Sequence, residues 1–197
     1  MAVPENLIGV WQRESIQIDD GEAYEDSRVL WLQTRSRYAD MRVPFQTGKV
    51  SQEAFAGDGF WSEPVLTFKH ELDFTGTASE DAGTLSWDDE TLVEAGSVEL
   101  PAGVINYVER WRRCTPANVT CETWEVRNDD ALQAIALRVG DYAILMSNLS
   151  EFGARLFERD SSVWQQTTSI GAKIEDHPPW DLAETIGDAA LNWKKID

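Results

Sequence analysis

A chain of 197 residues with 17 basic and 35 acidic side chains carries a formal charge of −18. Such a charge repels phosphate backbones and anionic lipid surfaces, which argues against nucleic-acid and membrane-surface partners and serves solubility. Hydrophobic residues make up 42% of the chain, enough for a core, and no run approaches the roughly 18 apolar residues of a membrane span.

In chain order, short runs rich in β-branched and aromatic residues predict strands at Trp11–Ile18, Arg28–Thr34, Ala39–Val43, Val65–Asp73, Gly76–Ser79, Gly83–Trp87 and Thr91–Glu99. Further strands are predicted at Ile105–Arg113, Glu122–Arg127, Leu132–Val139, Tyr142–Ser147 and Val163–Ser169. Ser51–Phe55 suits one short helical turn capped by Ser51, and Ser150–Arg159 is ambiguous, with Phe152, Leu156 and Arg159 suiting a helix that Gly153 weakens. After the break at Pro178-Pro179, Asp181–Trp193 has a capping residue, Glu184 three positions later, and Leu182, Ile186, Ala189 and Ala190 at helical spacing. The chain therefore reads as all-β: one antiparallel up-and-down barrel of about ten strands over residues 1–197, with a helical tail over about residues 178–197. Some of the twelve candidate strands are expected to merge.

The tripeptide Gly9-Val10-Trp11 opens the first strand. A G-x-W at this place is the starting signal of calycin and lipocalin-like barrels. Gly9 and Trp11 are then a structural plug, with the Trp11 ring filling one barrel end. A cation–π partner for Trp11 is expected late in the chain, at Arg138, Arg155 or Arg159. Trp11-Gln12-Arg13 is echoed by Trp111-Arg112-Arg113, a repeat that suggests two halves of one barrel.

Cys114 and Cys121 frame a short loop and are expected as free thiols in a reducing compartment. The N-terminus has no basic region followed by an apolar run, so the expected location is the cytoplasm. With His70 and His177 as the two histidines, neither a His-based triad nor a multi-His metal site is expected, and no cofactor is implied. Haem held by one histidine is the weaker alternative.

The candidate site comes from strand phase. Period two puts Tyr38, Asp40 and Arg42 on one face and Ala39, Met41 and Val43 on the other. Val29, Trp31 and Gln33 share a face opposite Leu30 and Leu32. Glu109, Trp111 and Arg113 are likewise in phase, and Glu94 with Gly96 repeats the pattern. A wall apolar on both sides fits a strand lining a cavity on one face and covered on the other. The predicted ligand-binding residues are Gln33, Tyr38, Asp40, Arg42, Glu94, Glu109 and Trp111. Inside a barrel their charges must pair, and together they would hold a small apolar or amphipathic molecule.

Gly9-x-Trp11-x-Arg13, Arg28-Val29-x-Trp31-Leu32-Gln33, Tyr38 through Pro44, Phe55-Ala56-Gly57, Glu94-x-Gly96 and Glu109-x-Trp111 together resemble a group of small uncharacterised bacterial proteins. More distantly the chain resembles the yeast casein-kinase-interacting family, whose members hold paired lipocalin-like barrels. The resemblance implies fold, and brings no catalytic residues with it. The expected function is small-molecule binding in an amphipathic barrel cavity. The alternatives are an enzyme using interior carboxylates and Arg42 for acid–base chemistry, and an interaction module with a filled core. Homodimer formation stays open.

Overall fold

The computed structural model describes residues 2–46, 51–76, 79–101, 103–174 and 193–196. Eight strands close an antiparallel up-and-down barrel: β1 (Gly9–Ile18), β2 (Ser27–Gln33), β3 (Arg37–Pro44), β4 (Glu53–Ser62), β5 (Val65–Asp73), β6 (Glu80–Asp88), β7 (Thr91–Leu100) and β8 (Gly103–Arg113). Pairing of β1 with β8 closes it. The remaining strands are β9 (Cys121–Asn128), β10 (Ala131–Val139), β11 (Tyr142–Ser147), β12 (Gly153–Asp160), β13 (Val163–Gly171) and β14 (Lys194–Lys195). They form a second sheet in the order β13-β12-β11-β10-β9-β14.

The single barrel of about ten strands is thus replaced by an eight-stranded barrel and a separate six-stranded sheet. Glu53–Ser62 is a strand where the sequence suggests a helical turn at Ser51–Phe55, and Gly153–Asp160 resolves the ambiguous segment as a strand. The helix expected over Asp181–Trp193 lies outside the described residues except for Trp193. Within the expected helical tail, Lys194–Lys195 pairs instead with Glu125 and Trp124 of β9. Among the described residues no helix is long and apolar enough to cross a membrane.

The sequence echo falls on the two strands whose pairing closes the barrel. Trp11, Gln12 and Arg13 are the register partners of Arg113, Arg112 and Trp111, so both copies lie side by side on the closing strands. A bulge between Arg13 and Ser15 shifts the phase of β1. Arg13 before the bulge and Ile16 after it therefore both serve the barrel interior.

Three apolar clusters hold the described residues, one of them on the far face of the second sheet around Trp124, Ala136, Leu145 and Phe157. The barrel interior buries Val3, Leu7, Trp11, Trp31, Phe68 and Trp111 among others. The outer face of β1 to β5, with Val10, Leu30, Leu32, Ala39, Met41, Ala54, Ala56 and Leu72, packs on Leu132, Ile135, Leu137, Ile144 and Leu156 of the second sheet. Strands β2 and β3 are therefore apolar on their covered face and mixed on their inner face, as their phase predicts. Ion pairs edge this seam: Arg37 bonds Asp58 on the barrel and Glu125 on β9, and Arg28 reaches Glu158 at 2.7 Å.

Candidate functional site

The N-terminal residues seal one barrel end. The Val3 amide donates to the Arg35 carbonyl at 3.0 Å, and the Leu7 amide to that of Pro4 at 2.9 Å. This turn puts Val3 and Leu7 into the interior cluster with Trp11. The Trp11 indole N–H donates to the Leu7 carbonyl at 2.8 Å, and its ring lies 6.0 Å from Trp31. Trp11 has no exposed surface. Its cationic neighbour is Arg113, 4.2 Å above the ring, and not Arg138, Arg155 or Arg159, the expected candidates. Those lie beyond the barrel, whereas strand register supplies the partner from the closing strand.

Above this floor lies a cavity of about 280 Å³, near the lower end of the about 300–1,000 Å³ typical of ligand pockets. Trp31, Trp111, Tyr38, Phe55 and Phe68, all buried, line it together with the more exposed Val98, Ile105 and Asp81. Six of the seven predicted ligand-binding residues converge on this wall: Tyr38, Asp40, Arg42, Glu94, Glu109 and Trp111. Gln33 does not. It is wholly buried, accepts from the Trp31 indole at 3.0 Å, and donates to the carbonyls of Thr34 and Arg37 at 2.9 and 3.1 Å. Those bonds use both ends of its amide to brace the β2–β3 turn.

The polar groups fall into linked sets. Arg42 donates to Asp40 at 3.0 Å, lies 3.8 Å from Glu53, and stands over the Phe55 ring. Arg13 bonds Glu109 at 2.5 Å and Glu25 at 2.8 Å. Glu94 and Glu109 are direct cross-strand partners on β7 and β8, and directly opposed like charges are destabilising. Burial, joined by the charge of Glu109, holds the Glu94 carboxyl well above the usual carboxylate range. Burial also pushes the Asp40 carboxyl up to about 6, although Arg42 opposes the shift. His70, 2.9 Å from Asp73 and 3.6 Å from Asp81, flanks the set. Burial lowers its affinity for a proton, but the two carboxylates outweigh that and raise it.

Two glycines shape the wall. A Cβ on Gly83 would overlap the Glu94 side chain, and one on Gly96 would overlap the Tyr107 phenol. The Tyr107 hydroxyl then reaches Glu94 at 3.4 Å. Among the described residues, three buried wall atoms make no hydrogen bond: Asp81 Oδ1, which His70 faces at 3.6 Å, and the Tyr38 hydroxyl and Trp111 indole nitrogen, which have no partner.

Further wall residues were open to the same reasoning by phase. Ile105 and Tyr107 lie four and two positions before Glu109 and share its inward phase. Phe55 escapes that reasoning because its segment suggests a helical turn. Arg13 shares the inward phase of Trp11 and was open to it too, whereas Ile16 and Ile18 depend on the bulge in β1, which leaves no clear mark in the sequence.

No curated protein and no solved structure matches the chain significantly. A family model described as Protein HRI1 matches residues 9–196, which takes in both the barrel and the second sheet. The match is consistent with the resemblance read from the barrel residues, and the chain belongs to the Protein HRI1 family.

Proposed function

We propose that this chain is a small-molecule-binding protein whose ligand occupies the barrel cavity. The observation that carries the reading is the pair of unpartnered groups on the cavity wall, the Tyr38 hydroxyl and the Trp111 indole N–H. A buried polar group without a partner costs about 1–3 kcal/mol. A ligand with polar atoms facing these groups would remove that cost, while the rings of Trp31, Phe55 and Phe68 take an apolar body. Tyr38, Asp40, Arg42, Glu94, Glu109 and Trp111 are the proposed contacts.

The barrel's strand order and its Gly9–Trp11 plug fit a lipocalin-like architecture, with the second sheet as an added cover within the same domain. Cys114 and Cys121 are not disulfide-bonded, which fits a reducing compartment such as the cytoplasm. A second reading is enzymatic. Asp40, pushed up to about 6 beside Arg42, has the proton affinity of an acid–base group working near neutral pH. A filled-core interaction module fits poorly with a cavity of about 280 Å³.

Native mass spectrometry of freshly purified protein, joined to a fragment screen read by indole N–H resonances, tests the binding reading. Added mass, or fragments that shift the Trp31 and Trp111 signals and leave Trp87 unmoved, would support it. An apo mass together with no shift from any fragment would sink it.

A further inference from the structure

Resting on that binding reading, we infer that the cavity selects a small organic cation, with an ammonium group on Glu94 and its carbon body against Trp31 and Trp111. The charges on the wall do not balance. Four carboxylates line the cavity, from Asp40, Asp81, Glu94 and Glu109, against one guanidinium, from Arg42. Arg42 is already engaged by Asp40 at 3.0 Å and by Glu53 at 3.8 Å. The nearby Arg13 is engaged by Glu109 and Glu25. His70 is held between Asp73 and Asp81.

Glu94 alone among the four has no arginine, lysine or histidine within ion-pair distance among the described residues. It is 5% exposed, and its polar neighbour is the neutral Tyr107 hydroxyl at 3.4 Å. A buried carboxylate without a counter-charge is costly and answers by keeping a proton. The direction of the Glu94 shift agrees, with burial first and the opposing Glu109 second. An ammonium group brings the charge that the proton otherwise supplies, and adds hydrogen bonds that a proton cannot make. An anion entering the same space would meet the four carboxylates and a guanidinium that is already paired.

The remaining wall suits a cation equally well. Ring faces attract ammonium groups, more strongly when water is excluded, and Trp31, Tyr107 and Trp111 all line the space. The placement of Glu94 is fixed by the local chain, because Gly83 on the next strand leaves room for its side chain. Independently of the carboxylates, the unpartnered Trp111 N–H and Tyr38 hydroxyl point to a ligand. An oxygen on the ligand body would accept from them while the ammonium end meets Glu94. The cavity of about 280 Å³ limits this cation to the size of an arylalkylamine or a short amino alcohol.

Three probes of one shape decide between charges: phenethylammonium, 2-phenylethanol and 3-phenylpropionate, titrated calorimetrically at pH 7. The expected order has phenethylammonium at least ten-fold tighter than the alcohol, and the carboxylate weakest. In Glu94→Gln the preference for the ammonium over the alcohol should vanish. If the alcohol or the carboxylate binds as tightly as the ammonium, the cation proposal is overturned and the cavity reading survives. The cation proposal is equally overturned if Glu94→Gln keeps the preference, or if none of the three binds while neutral fragments shift Trp111. If the protein is apo by mass and no fragment shifts Trp31 or Trp111, the binding reading fails and the cation proposal falls with it. The wild-type ranking decides by itself should Glu94→Gln fail to fold.

Discussion

Arg113 lies across the face of Trp11, 4.2 Å from the ring centroid, and the two residues are direct register partners on the strands that close the barrel. The ring contact and the barrel closure are therefore one feature. The Arg113 guanidinium also donates to the Ile8 carbonyl at 2.7 Å and to that of Asn6. It ties down the turn that carries Leu7 into the core. A Cβ on Gly9 would meet this guanidinium at 2.5 Å, which gives the glycine of the G-x-W motif a steric reason.

Substitution of this trio should show that coupling. Trp11→Ala is expected to cost about 3–5 kcal/mol, as for other buried tryptophans. Arg113→Ala should cost about 1–2 kcal/mol, combining a cation–π contact with lost hydrogen bonds. Gly9→Ala should be harmful in the wild type and milder in Arg113→Ala, because the obstructing group is gone. Urea unfolding of the three single variants and the Gly9→Ala, Arg113→Ala double variant gives the cycle. A loss below about 1 kcal/mol for Trp11→Ala would remove the plug role.

The seam between barrel and second sheet makes a separate prediction at Arg37. Its guanidinium bonds Asp58 and Glu125, and Glu125 is 6% exposed. Arg127 remains as a second partner of Glu125 at 2.8 Å, so the carboxylate is not fully stranded. Arg37→Ala should cost about 1–3 kcal/mol, less than a sole buried ion pair. Hydrogen exchange should show the loss first in β9. Unchanged protection of β9 would mean that the apolar layer alone holds the sheet.

The barrel wall was legible because its period-two pattern is clean. Tyr38, Asp40 and Arg42 had to share a face, and Ala39, Met41 and Val43 the other. The second sheet was not legible as a separate body. Its strands can be predicted one by one and pair in chain order, but no local pattern records that the barrel closes between β1 and β8, so that β9 opens a new sheet. Ala136 and Leu137 read as ordinary strand residues, yet one faces Trp124 and Leu145 while the other covers the barrel. β4 is hard to see because Gly57, Asp58 and Gly59 are poor strand formers. The fold uses Gly57 where the Lys69 backbone approaches too closely for any side chain. Arg113 could not be picked out as the cation over Trp11 because its placement comes from barrel closure, which pairs residues about a hundred positions apart in the register of β1 and β8.

Asp40 should leave a mark on the pH dependence of stability. Its folded pKa of about 6 lies above the ordinary value of 3.8. Below pH 4 the group is protonated in both states and its contribution is fully present. As pH rises from about 4 to about 6 the unfolded chain releases this proton first, so stability falls through that window. Asp40→Asn keeps a neutral side chain at every pH. The stability of wild type relative to Asp40→Asn should therefore drop by about 3 kcal/mol between pH 3 and pH 7. A difference that stays flat across this range would place Asp40 outside the buried pair.

Arg42 supplies the converse test. It is one-quarter exposed, with 26% of its side chain open, while the Asp40 side chain is 5% exposed. Removing Arg42 leaves the buried partner without its cation. Breaking a buried pair typically costs about 3–5 kcal/mol, but Asp40 can limit the loss by keeping its proton. Without Arg42, which holds the Asp40 pKa down, that pKa must rise above about 6. Arg42→Ala should then be mild near pH 5, where Asp40 is already mostly protonated, and worsen by about 2 kcal/mol toward pH 8. The double variant Arg42→Ala, Asp40→Asn should lose this pH dependence, because it contains no carboxylate to strand. Chemical unfolding of the single and double variants at pH 5 and pH 8 measures both quantities. Equal losses for Arg42→Ala at the two pH values would show that Arg42 acts through packing on Phe55, 5.0 Å from its guanidinium, and not through the charge of Asp40.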